Sequence, residues 1–204
     1  MTDLIDLVTG GTPRRVTRWS ESILHETTQP VTVFDDELAT LIRDMFATMD
    51  AAEGVGLAAP QVDDNRALFI FRCPDEDDQV QVGVVINPMI DAPQGQARHL
   101  VSEDEGCLSL PGAFAPLARP DSALCRGVDF NGAPIAIIGT GMLARCLQHE
   151  TDHLSGMVFG DRLSARSRKR LYADHEAVAY RYPDQWPTIA KGEFDPARQT
   201  ETEA

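Results

Sequence analysis

The stretch Cys146-Leu-Gln-His-Glu-Thr-Asp-His-Leu-Ser-Gly156 carries an H-E-x-x-H pattern at residues 149–153. On a helix, His149 and His153 sit one turn apart on the same face, the spacing two imidazoles need to reach one divalent ion. Glu150 is offset by roughly 100° and can lean over an open coordination position as a base without ligating. Leu143, Leu147 and Leu154 repeat at helical spacing and Gly156 stands where a helix would stop, so a helix is predicted over Gly141–Leu154. Taken alone, the pattern fits a plain surface helix as well as a metal site.

A metal site needs a third protein ligand. A zinc peptidase of the H-E-x-x-H type would supply a Glu or His downstream, but residues 154–170 contain neither, and His175 follows a basic stretch with no glycine turn. Upstream, Glu105-Gly-Cys-Leu-Ser109 offers Cys107, a thiol that cation binding would deprotonate, next to a glycine that frees the backbone. Cys107 is the candidate third ligand. Such a site leaves one position for water, whose pKa falls toward neutrality, so hydrolysis is the natural chemistry. Cys73 and Cys125 read as buried small hydrophobes. Four widely spaced cysteines and no signal-like N-terminus predict free thiols and a cytoplasmic location.

The remaining sequence frames that site. A chain of 204 residues predicts one domain, with the catalytic unit at residues 1–186 and a disordered Glu-, Thr- and Pro-containing tail at 187–204. A net charge of -14 disfavours nucleic-acid binding over the whole surface, DNA included, and no apolar run is long enough to span a bilayer. Leu38, Leu41, Ile42, Met45 and Met49 predict an amphipathic helix over 35–49, capped by Asp35 or Asp36 and closed by Gly54. Strands are predicted at 66–73 and 80–86, joined by a solvated acidic loop at 75–78. A hairpin pairs 123–130 with 134–138 about a type I′ turn at Asn131-Gly132. A further helix begins at Ser164.

Three segments, "GVGLAAPQ" at 54–61, "EGCLS" at 105–109 and "QHETDH" at 148–153, resemble in order and spacing the three motifs of peptide deformylases. The resemblance covers roughly residues 30–165. It implies an α+β fold in which antiparallel β-sheets wrap around a central metal-binding helix. The implied activity is removal of the formyl group from the N-terminal formyl-methionine of newly synthesised proteins. By the same resemblance Cys107, His149 and His153 are metal ligands and Glu150 is the general acid/base. The Gln61 amide and the Leu108 N–H face the substrate carbonyl, and Gly56 lies against the formyl group. Val55, Met142, Cys146 and the His149 ring line the methionine pocket. Iron(II) is the implied physiological metal, with zinc, nickel or cobalt able to replace it.

Two departures from the family pattern stand out. Arg145 occupies a place that is often aliphatic, and its guanidinium is expected to snorkel to solvent. "WSESILHETTQPV" replaces an acidic-Pro-hydrophobic-Leu-Arg run, which puts the local shape of the first extended segment in question. Glu105 either pairs with an arginine or lies exposed. The run containing Arg162, Arg166, Arg168, Lys169 and Arg170 reads as a solvated helix face, with contact to ribosomal RNA as the other reading. Two further classes compete with a deformylase: a general metallopeptidase, which lacks its downstream ligand, and a non-catalytic Cys-His-His protein, which needs a fourth ligand to close the shell.

Overall fold

Residues 68–71 read Leu-Phe-Ile-Phe, and a strand apolar at successive positions must be covered on both faces. The computed structural model, which describes residues 4–91, 93–95 and 98–188, covers this strand with a helix on each side. The strands are β1 Gly56–Ala58, β2 Leu68–Pro74, β3 Val80–Asp91, β4 Leu100–Gly106, β5 Phe114–Pro120, β6 Ser122–Val128 and β7 Pro134–Thr140. The helices are α1 Leu4–Leu7, α2 Asp36–Ala51, α3 Gly141–Leu154 and α4 Ala165–Glu176. Five strands form an antiparallel sheet in the order β1-β2-β3-β6-β7, and β4 and β5 form a separate hairpin.

Alternation sorts the two cores. Leu68, Ile70, Val84 and Ile86 pack with Leu41, Ile42, Met45 and Phe46 of α2, while Phe69, Phe71, Val85 and Cys125 pack with Leu143, Cys146 and Leu147 of α3. On the β4–β5 hairpin, Ala115 and Leu117 pack with Phe159 and with Leu171 of α4. The result is the expected α+β arrangement, with antiparallel sheets around the H-E-x-x-H helix.

Both long helices close in the same way. The Glu53 and Gly54 N–H groups bond to the Asp50 and Met49 carbonyls, and the Gly156 and Met157 N–H groups bond to those of His153 and Asp152, which is the Schellman pattern. In α3 the left-handed residue is Gly156 at φ 73°, as the sequence predicts. In α2 it is Glu53 at φ 58°, and the helix runs to Ala51. Gly54 itself packs closely against Leu108: a Cβ there would sit 2.7 Å from Leu108 Cδ1, and the leucine side chain would have to shift. Asp35 is the N-cap, accepting from the Leu38 N–H at 3.0 Å.

Three expectations need correction. The hairpin after β6 is not a type I′ turn, because Asn131 is absent from the positive-φ residues; Gly132 alone is left-handed there, and Asp129 Oδ1 accepts from the Asn131 and Ala133 N–H groups. Strand β3 continues past Ile86 to Asp91, because Asn87 at φ 51° and a register shift carry it onto β6. The acidic loop is organised as well as wet: Asp75 Oδ1 accepts from the Asp77 and Gln79 N–H groups. The unusual N-terminal run acts as a strap. Trp19 stacks on Tyr172 of α4 at 4.0 Å, and the Thr28 N–H and hydroxyl both donate to the Leu154 carbonyl at the end of α3. Of the tail expected to be disordered, residues 189–204 lie outside the described residues.

Candidate metal centre and active site

Helix α3 is buried along nearly its whole length although it is rich in polar residues; Arg145, Gln148, His149, Glu150, Asp152 and His153 are all buried. Such a helix contradicts the ordinary burial preference, so each group must find a partner. Tertiary folding brings Cys107, at the end of β4, beside the two histidines: one donor atom from each lies within 4.8 Å of the others. The Cys107 Sγ to His153 Nε2 distance is 3.3 Å. Ligand pairs around a tetrahedral ion with bonds of about 2.0–2.3 Å are separated by about 3.5 Å, so the spacing fits a divalent cation. Glu150 Oε2 and His153 Nδ1 are buried and make no hydrogen bond among the described residues. Of the two, the Glu150 oxygen lies on the same cavity as Cys107 and His149, where a further polar group would satisfy it.

Glu105 anchors the centre. Its Oε1 lies 2.7 Å from His149 Nδ1, which turns Nε2 of that ring toward Cys107, the usual support for a metal-binding histidine. Arg119 donates to both Glu105 oxygens, at 2.8 and 2.6 Å, and Arg145 Nη1 donates to Oε2 at 2.9 Å. Arg119 also bonds Asp152, which in turn pairs with Arg162. Of the two readings of Glu105, the paired one holds. Arg145 does not snorkel: it is 5 % exposed and also donates to the Leu117 and Val101 carbonyls, because a buried carboxylate and open hairpin carbonyls outbid solvent.

These contacts set the charge states. Burial would raise the Glu105 pKa, but Arg119 and His149 outweigh it and hold the carboxyl well below its ordinary range. Burial, helped by the Glu105 and Asp152 carboxylates and opposed by His149 and Arg119, pushes Glu150 up to about 7. Burial opposes charge on His149, yet its bonds to Cys107 and Glu105 raise its pKa well above the usual value. Burial and the neighbouring His149 push His153 well below it.

The match to the polypeptide deformylase family model spans residues 13–169, more than two thirds of the chain. The chain belongs to that family. Relatives include "Peptide deformylase 1" of Streptomyces avermitilis, 49% identical over 177 residues, covering 85% of this chain and 80% of that protein. "Peptide deformylase" of Mycolicibacterium vanbaalenii is 43% identical, covering 76% and 85%. Among solved structures, a peptide deformylase from Legionella pneumophila has a TM-score of 0.72 at 36% identity, covering 84% of this chain and all of that one. One from Synechococcus elongatus, in complex with actinonin, also has a TM-score of 0.72, at 37% identity and 83% and 90% coverage. As a peptide deformylase, the protein is a metal-dependent hydrolase that removes N-formyl groups from nascent peptides.

The other residues that the resemblance implies converge on the same cavity of about 400 Å³, which Val55, Gly56, Gln61, Leu108, Met142 and Cys146 line together with Cys107, His149 and Glu150. Gln61 is 1 % exposed; its Oε1 accepts from the Ala58 N–H at 2.9 Å, which directs Nε2 to Ser109 Oγ at 3.2 Å and toward Cys107 Sγ at 3.5 Å. A Cβ on Gly56 would lie 2.5 Å from Glu150 Oε1 and 2.7 Å from Cys146 Sγ, so only glycine fits against these two buried side chains as they stand. Val55 and Met142 are each 43% exposed at the cavity mouth, whereas Cys146 is buried beneath it. Sequence reasoning missed Arg119, Tyr182 and Trp186, which reach this region from 14 to about 80 positions away and carry no motif signal.

Proposed function

We propose that Cys107, His149 and His153 hold iron(II), with zinc, nickel or cobalt able to take its place, and that Glu150 is the general acid/base of formyl-methionine hydrolysis. The carrying observation is a buried Glu150 carboxyl, with one oxygen unpartnered, in the same cavity as the three donor atoms. A divalent ion held there supplies Lewis acidity that brings the pKa of water toward neutrality. Glu150 accepts the proton of the attacking water and returns it to the leaving amine. The Gln61 amide and the Leu108 N–H donate to the oxyanion as the formyl carbon becomes tetrahedral. Gly56 leaves the formyl group room beside Glu150, and Val55, Met142 and Cys146 take the methionine side chain.

Thiolate ligation gives a soft, oxidisable site, which suits iron(II) in a reducing cytoplasm, with residues 1–186 acting as one catalytic unit. No helix among the described residues is long and apolar enough to cross a membrane. Contact with ribosomal RNA through Arg162–Arg170 competes with pairs already made within the chain, because Arg162, Arg168 and Arg170 face Asp152, Asp161 and Asp174. The decisive assay compares formyl-Met-Ala with acetyl-Met-Ala and an internal peptide bond, using protein purified without oxygen and analysed for metal. Formyl release alone, with about one iron per chain that Cys107→Ala loses, is expected. Internal cleavage, or full metal occupancy in the Cys107 variant, overturns the assignment.

A further inference from the structure

The family match ends at residue 169, yet Tyr182 and Trp186 line the same cavity as Cys107 and Glu150. The segment that carries them is firmly held. Trp186 is 2 % exposed and packs among Val16 and Ala52, and its carbonyl accepts from the Val16 N–H at 3.0 Å. The Arg18 guanidinium lies over the Trp186 ring, 5.5 Å from its centroid, while Arg18 Nη2 donates to the Tyr182 and Pro183 carbonyls at 3.1 and 2.9 Å. Tyr182 stands edge-on to Trp186, with ring centroids 5.4 Å apart and planes at 86°. Across the cavity wall, Gly112 has φ 78°, and a Cβ there would lie 2.9 Å from Tyr182 Cε2. The N-terminal strap thus holds the backbone of Tyr182 and the 112 turn leaves room for its ring, which is partly exposed on the cavity.

Its distance from the reacting centre can be bounded along the chain. Ala52 packs against Trp186, and Gly56 abuts Glu150. Four residues span at most about 14 Å. An extended peptide rises about 3.3 Å per residue, so the Ala52–Gly56 step corresponds to no more than about four residues of a substrate whose formyl group lies at Glu150, on the cavity that Tyr182 also lines. The nearby lining is Leu108, Pro111 and Gly112, with Glu53 and Asp104 on the same cavity. Apolar surface with carboxylates at hand favours an apolar or aromatic side chain and disfavours an acidic one.

We infer that Tyr182 is a specificity-determining residue that contacts an apolar or aromatic side chain at the third or fourth position of the formylated peptide, held in place by Trp186 and Arg18. The inference rests on the deformylase reading above. The test measures kcat/KM on formyl-Met-Ala, and on formyl-Met-Ala-Ala-Ala with Phe or Glu placed at the third or the fourth position. The parent protein is expected to favour Phe over Glu by about ten-fold at one of those positions, the scale of a single apolar pocket contact. Tyr182→Ala should lose most of that ratio and fall further on the Phe peptide than on formyl-Met-Ala, while Tyr182→Phe keeps it. Tyr182→Leu, similar in bulk but without the ring, repeats the test if the alanine variant melts early. No Phe preference in the parent, or an equal loss on all peptides in the variants, overturns the inference. Failure of the parent on formyl-Met-Ala would instead overturn the function itself.

Discussion

Helices α2 and α3 flank one sheet, are 16 and 14 residues long, and end in the same hydrogen-bonded cap, but they bury opposite chemistry. Helix α2 buries Leu38, Leu41, Ile42, Met45, Phe46 and Met49, so its position follows from apolar area removed from water. Helix α3 turns Leu143 and Leu147 to the sheet but also buries two histidines, two carboxyls, a glutamine and an arginine. Its polar side is held by Glu105 and Arg119, which come from β4 and β5. The contrast separates a helix that stabilises from one that is stabilised. The first tolerates repacking, and the second depends on every partner being present.

The largest effect should come from Glu150→Gln, which removes the proton-accepting group. Turnover of formyl-Met-Ala is expected to fall by about 10² to 10⁴ while metal content persists. Its melting temperature should not fall, since a buried carboxyl raised to about 7 by desolvation is relieved of its charge. A parental rate would remove Glu150 from the chemistry. Next comes Glu105→Gln, which removes the buried carboxylate that Arg119 and Arg145 share, at a cost of about 3–5 kcal/mol in chemical denaturation. The same variant should bind metal about 10- to 100-fold more weakly, because His149 loses its orienting acceptor.

Acid titration sharpens the contrast. The folded pKa of Glu105 is depressed, so its stabilisation is present above the unfolded value of about 4.3 and is lost as pH falls below it. The metal-free parent should therefore lose stability on acidification below about pH 4, and Glu105→Gln should flatten that limb. An identical acid limb in both proteins would show that Glu105 is not the group responsible. In α2, Leu41→Ala is expected to cost about 2–5 kcal/mol with kcat unchanged in the folded fraction. A large fall in kcat there would break the division between the helices. The smallest effect is Asp35→Ala, about 0.5–2 kcal/mol through loss of the cap to Leu38, again without a change in kcat.

Local pattern was enough for the two long helices, though not for the turn at Asn131-Gly132 or the left-handed Glu53 that ends α2. Leucine and methionine spacing located α2 and α3, Gly156 marked the left-handed end of α3, and His149 and His153 declared one face with Glu150 beside it, because helical geometry converts spacing directly into direction. Cys107 could be nominated, since its glycine-flanked thiol fits the missing third donor, but its 3.3 Å approach to His153 exists only after β4 folds against α3. The hairpin β4–β5 escaped sequence reading because its first strand, Leu-Val-Ser-Glu-Asp-Glu-Gly, lacks the apolar alternation of a half-buried strand. Arg145 shows the limit most clearly. Its sequence neighbours suggest a side chain reaching for water, and only the arrival of Glu105 from 40 positions away decides that it stays inside. A buried ion pair leaves no local signature, because the energy that retains each charge belongs to a partner brought near by tertiary folding.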